Sequence, residues 1–132
     1  MVTWEIDADG LYTYVSPLSE AVFGYRPEAL VGKMHFYDIH PEEGRAEFKD
    51  AAFSVIERHI PFKNRVNPIQ TKSGSRIWVS TNGLPVLDNN GSLQCYRGSD
   101  MDITERKKVE EVLLERERQL VETHRIAHIG SW

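Results

Sequence analysis

The stretch Gly98-Ser99-Asp100-Met101-Asp102-Ile103-Thr104-Glu105-Arg106 is where this sequence changes its physical character. On its C-terminal side, residues 105–125 hold six acids (Glu105, Glu110, Glu111, Glu115, Glu117, Glu122) and six bases (Arg106, Lys107, Lys108, Arg116, Arg118, Arg125). No Gly or Pro occurs from Ile103 to Ile129. Opposite charges stand four apart in Arg106/Glu110, Lys107/Glu111 and Arg118/Glu122, the spacing at which helical side chains meet. The tract predicts one long exposed helix. Thr104 suits its N-cap and Glu105 suits the positive end of its dipole, although Lys107 stands where a capping box needs an acid. Val109, Leu113, Leu120 and Ala127 alternate four and three apart, with Arg116 and Thr123 interrupting the seam. Such a seam pairs helices weakly.

On the N-terminal side the period shortens. Leu93 to Ile103 reads as a strand, and so do Phe62 to Thr71 and Ile77 to Leu87, the three being joined by Lys72-Ser73-Gly74-Ser75 and Asp88-Asn89-Asn90-Gly91. Pro68 lacks an amide donor, which places its strand at a sheet edge or a bulge. Trp4-Glu5-Ile6-Asp7 and Leu11-Tyr12-Thr13-Tyr14-Val15 flank Asp9-Gly10, a β-hairpin pattern. Between these strands lie helical starts: Ser16 as a cap before Pro17, Pro27 ahead of Glu28-Ala29-Leu30, and His40-Pro41-Glu42-Glu43 ahead of Phe48, Ala52, Val55 and Ile56 at helical spacing. The order β-β-α-α-α-β-β-β implies an α+β domain, with an antiparallel sheet carrying its helices on one face.

Composition limits the function. The 132 residues are 40% hydrophobic and 27% charged, which suits a globular chain able to pack a core. A net charge of −4 leaves no overall positive field to hold nucleic acid. The longest apolar stretches, such as Ala51-Ala52-Phe53 with Val55-Ile56, fall far short of the ~20 residues that cross a bilayer, and no secretory signal precedes Trp4, so no membrane contact is expected within this segment. Cys95 is the single cysteine; it excludes an internal disulfide and a multi-cysteine metal site, and suits a cytoplasmic protein, although the parent may be membrane-anchored.

Taken in order, the Trp4–Val15 hairpin, Ser16-Pro17, Phe23-Gly24-Tyr25-Arg26-Pro27-Glu28, Leu30-Val31-Gly32-Lys33, His40-Pro41-Glu42, Lys72-Ser73-Gly74-Ser75-Arg76-Ile77-Trp78-Val79 and Gly98 to Arg106 resemble the PAS sensory-domain family over residues 1–103. The departure is Ser73, where many relatives carry aspartate before glycine. The resemblance implies a five-stranded antiparallel sheet with helices enclosing a small cavity, followed by a signalling helix over 104–126. His128-Ile129-Gly130-Ser131-Trp132 resembles the opening of a further such domain, Trp132 matching Trp4, so that 127–132 reads as its start. A frayed terminus is the plainer reading of the same residues.

Helix faces bearing Val22, Phe23, Leu30, Phe36, Ile39, Phe53 and Ile56 are expected to meet inward sheet residues, among them Ile77, Val79, Leu93 and Cys95. A filled core and a ligand pocket both satisfy that pattern. The resemblance gives Asp102, Ile103 and Thr104 the role of relay between the sheet and the helix, while the heptad seam of Val109, Leu113, Arg116 and Leu120 is the expected contact of a homodimer. It implies a signal-transduction parent, a sensor histidine kinase or a cyclic-dinucleotide enzyme, with adjacent domains as partners and no catalysis in this segment. A ligand-free dimerisation spacer and a haem sensor using His59 are the competing readings. Flavin chemistry is not supported, because Cys95 lies on a strand rather than in a helical Asn-Cys-Arg motif. His124 and His128 share a helical face, yet no third metal ligand sits at matching spacing. His128 is followed by Ile129-Gly130-Ser131 rather than by the acid and proline of a phosphoacceptor helix.

Overall fold

The computed structural model describes the backbone of residues 1–130 and the side chains of residues 1–121. Strands β1 (Val2–Ile6) and β2 (Tyr12–Val15) pair antiparallel, with Trp4 opposite Val15 and Glu5 opposite Tyr14. Their connection is wider than the tight turn expected at Asp9-Gly10. Asp7 organises it: its Oδ1 accepts the backbone N–H groups of Asp9 at 2.9 Å and Leu11 at 3.0 Å. Ser16 does not cap a helix. The β1–β2 ladder continues past Val15, so the Ser16 N–H donates to the Thr3 carbonyl and the Ser16 Oγ accepts the Thr3 N–H at 3.0 Å.

Helix α1 (Ser19–Phe23) therefore starts after Pro17-Leu18, and α2 (Pro27–Leu30) carries its proline in the first turn. A 3-10 turn at Phe36–Ile39, too short to show a period in the sequence, comes before α3 (Arg45–Glu57). The start of α3 also differs from expectation. His40-Pro41-Glu42-Glu43 forms the approach, and Gly44, at φ 77°, is the last residue before the helix. Arg45 fixes this approach by donating from Nε and Nη2 to the His40 carbonyl at 3.1 and 2.8 Å.

The remaining strands are β3 (Phe62–Gln70), β4 (Arg76–Leu87) and β5 (Leu93–Asp102). All neighbours are antiparallel in the order β2-β1-β5-β4-β3, the five-stranded α+β architecture expected. Edge strand β3 carries Pro68, as the missing donor requires. The last strand in sequence is the central one, and β5 sets Trp4 opposite Gly98 and Ile6 opposite Tyr96. Val2, Trp4 and Ile6 are buried while Thr3 is exposed, so one face of the sheet holds the core. The Tyr96 hydroxyl reaches the carbonyls of Val55 at 3.2 Å and Ile60 at 3.0 Å, tying this face to the C-terminal end of α3.

The chain divides after Asp102 into two units. Helix α4 (Thr104–Gly130) takes Thr104 as its first residue and continues without a break past residue 126, where the signalling helix was expected to end. Ser131 and Trp132, which carry the likeness to Trp4, lie outside the described residues, as do the side chains of His124 and His128.

Gly98 is the tightest point of the sheet. A β-carbon there would stand 2.6 Å from the Trp4 ring and would also meet the Asn82 carbonyl oxygen. Gly98→Ala is expected to destabilise the domain by about 2–4 kcal/mol and to perturb the near-UV circular dichroism of Trp4. A denaturant titration of the two proteins followed at both wavelengths measures it.

Candidate functional site

Between α3 and the inner face of the sheet lies a cavity of about 190 Å³. Trp4 and Ile6 of β1, Tyr12 of β2 and Tyr96 and Asp100 of β5 form one wall, and Thr81 of β4 with Asn67 and Ile69 of β3 extend it. Phe36 and Ile39 of the 3-10 turn, His40, and Phe48, Val55 and Ile56 of α3 form the other. The aromatic rings pack edge to face and tilted: Phe36 meets Phe48 at 5.8 Å and Phe53 at 5.7 Å between centroids, and His40 stacks on Phe48 at 4.4 Å.

Of the eleven residues expected at a pocket or core, Phe36, Ile39 and Ile56 line this cavity. Phe53 stands behind Phe36. Phe23, Leu30 and Val79 are fully buried away from it, and Val22, Ile77 and Leu93 pack against the same core. Cys95 is the correction. The pairing of β1 with β5 sets Glu5 opposite Arg97 on the outer face, and Cys95 has the same parity, its Sγ lying 3.6 Å from Glu5 Oε1. Burial and the Glu5 charge push the Cys95 thiol up, away from the reactive thiolate. His59 takes φ 55° just beyond α3 and is not among the cavity-lining residues.

The polar centre of the cavity is Asp100, which sequence reading did not single out. It is 5% exposed, and the Trp4 Nε1–H donates to its Oδ1 at 3.1 Å. The Thr81 hydroxyl donates to Asn67 Oδ1 at 3.1 Å, and Thr81 stands opposite Asp100 in the β4–β5 pairing, near enough to act on its carboxyl. Trp4, Asp100, Thr81 and Asn67 thus form a polar row that crosses β1, β5, β4 and β3 in spatial order. A hydroxyl has one proton to give. While Thr81 donates to Asn67, a bond between Thr81 and Asp100 requires the proton of a neutral carboxyl. Desolvation raises Asp100 to about 6, which brings that neutral form within reach, while the Thr81 and Trp4 bonds pull in the opposite direction. Burial first, then the charges of Asp100 and Asp38, hold the Tyr12 hydroxyl well above its ordinary value.

His40 was also missed. It is 7% exposed, and its Nδ1 lies 2.7 Å from the Pro41 carbonyl, which can only accept, so Nδ1 carries a proton. Among the described residues no group of three His, Cys, Asp or Glu side chains is placed to hold a metal ion.

The PAS fold family profile matches residues 12–99, and the chain belongs to that family, whose members are the sensor modules of signalling proteins. It is 28% identical over 103 residues to the bacterioopsin transcriptional activator of Halobacterium salinarum, covering 76% of this chain and 14% of that protein. It is 30% identical over 99 residues to the methyl sulfide methyltransferase-associated sensor of Methanosarcina acetivorans, covering 74% of this chain and 10% of that protein. The chain therefore spans a small part of these relatives. Among solved structures, an RNA-binding light-oxygen-voltage receptor superposes with a TM-score of 0.78 at 22% identity, over 94% of this chain and 34% of that one. A sensory box histidine kinase/response regulator from Burkholderia thailandensis superposes with a TM-score of 0.70 at 24% identity, over 92% and 90% of the two chains.

Because the folded state holds the Asp100 proton more tightly than the unfolded chain, its contribution to stability is largest in acid. That contribution is lost as pH rises from the ordinary value of 3.8 through about 6. Relative to Asp100→Asn, the wild-type domain should lose on the order of 2–3 kcal/mol between those limits. Urea melts of both proteins across that range check the sign and the size.

Proposed function

We propose that this chain is the ligand-sensing module of a signal-transduction protein, in which occupancy of the cavity biases the sheet and Asp102-Ile103-Thr104 passes the bias into α4. The observation that carries this reading is the dual position of β5. The strand gives Tyr96 and Asp100 to the cavity wall and ends at Asp102, with only Ile103 between it and the start of α4 at Thr104. A change in how Asp100 is hydrogen-bonded therefore acts on the strand that leads to the helix.

The helix supports an output through pairing. Val109, Leu113 and Leu120 are 57%, 54% and 57% exposed, a degree of apolar exposure that a second copy would relieve by forming a homodimer seam through Arg116. The same exposure favours the second reading, a spacer that dimerises without any ligand. Domain limits of 1–103 for the sensor and 104–126 for the signalling part, a cytoplasmic location, and a kinase or cyclic-dinucleotide output elsewhere in the parent complete the proposal. Among the described residues no helix is long and apolar enough to cross a membrane. A haem site through His59 gains no support from the cavity lining.

Native mass spectrometry of freshly purified protein separates the two readings: a retained small molecule is expected for a sensor, and a clean apo mass with an unresponsive cavity counts for the spacer. In the full-length parent, Asp102→Ala should change output while the domain's melting curve is retained; unchanged output removes the relay. Leu113→Asp with Leu120→Asp should weaken self-association at least about tenfold by sedimentation equilibrium.

A further inference from the structure

The cavity wall carries a carboxylate that the protein does not neutralise. Asp100 makes no ion pair among the described residues, and burial is the main influence on its carboxyl. A carboxylate offers about four acceptor positions. The Trp4 Nε1–H fills one of them. The same cavity is lined by the rings of Trp4, Tyr12, Phe36, Phe48, Phe62 and Tyr96. Aromatic faces attract a desolvated cation, and they reject an anion that would also meet the Asp100 charge. The other titratable side chains of the wall are Tyr12, His40, Arg65 and Tyr96. Arg65 is exposed on edge strand β3, so its guanidinium is hydrated.

We propose that the cavity binds a compact organic cation of the alkylammonium class, its N–H groups donating to Asp100 and its alkyl body lying against the aromatic walls. This rests on the reading of the cavity as a ligand site and names the ligand chemistry. The volume of about 190 Å³ limits the guest to a small amine. On binding, a neutral Asp100 gives its proton to solvent, and the Thr81 hydroxyl turns from Asn67 toward the carboxylate, which carries the event from β5 through β4 to β3.

The test uses the 132-residue chain, tert-butylammonium chloride as the probe, and tert-butanol as its neutral counterpart of nearly equal shape, read by calorimetry and by amide chemical shifts of the cavity residues. The ammonium is expected to bind at least about tenfold more tightly than the alcohol, and Asp100→Asn, with its spectrum otherwise retained, should abolish that preference. In the wild-type protein the ammonium should bind more weakly at about pH 5 than at about pH 7.5, because acid protonates Asp100. If the alcohol shifts the cavity resonances and the ammonium binds no better, or if Asp100→Asn keeps the preference, the cation assignment falls while the cavity stands as a ligand site. If neither probe moves those resonances, both fall. A wild-type affinity for the ammonium that does not change with pH likewise overturns the assignment.

Discussion

The polar row of Trp4, Asp100, Thr81 and Asn67 is the constraint around which the interior is arranged. Each member comes from a different strand, so the row exists only if all three pairings, β1 with β5, β5 with β4 and β4 with β3, hold their registers. A slip of one residue in any of them would turn one member to the outer face. The row therefore reports on the alignment of the whole sheet. Trp4 can reach Asp100 because it lies across Gly98, where a side chain would collide with its ring.

Packing of the helical layer follows from the same face. Tyr96, two positions before Gly98 on β5, reaches the end of α3 through its hydroxyl, and stacks with Phe62 at 6.1 Å between centroids. At the other end of α3, Arg45 holds the His40 carbonyl and so sets the stacking of His40 on Phe48. The long helix is thus fixed at both ends but spans the cavity in between, where its own contribution is Phe48 and small or aliphatic residues. Buried polar groups in this wall have partners: among the described residues no buried side-chain nitrogen or oxygen lacks a hydrogen bond.

The architecture was largely legible in the sequence because its signals are local. Turn residues, proline positions and alternation give the five strands, and the absence of Gly and Pro after Ile103 gives α4. The site was much less legible. Whether Cys95 or Tyr96 faces the helices depends on how β5 registers against β1, about ninety residues earlier, and alternation alone leaves that parity open. Asp100 stood in a polar-looking run with nothing to mark it as inward. Ser16 obeyed the rule for caps in sequence but found its partner, Thr3, across a strand pair instead. Gly44, rather than the proline before it, ends the approach to α3, since an αL residue was needed there. In each case a contact distant in sequence overrode a sound local preference.

Pro68 and its neighbours have a consequence beyond topology. They sit toward the end of β3, one of the sheet's two edge strands, where Lys63 and Arg65 are also exposed. A row of free amides at such a margin invites another polypeptide to zip on, the first step toward fibrils. A residue without an amide hydrogen, flanked by positive charge, interrupts that template. This margin of the sheet is therefore a poor template for a further strand, while β2 forms the other margin.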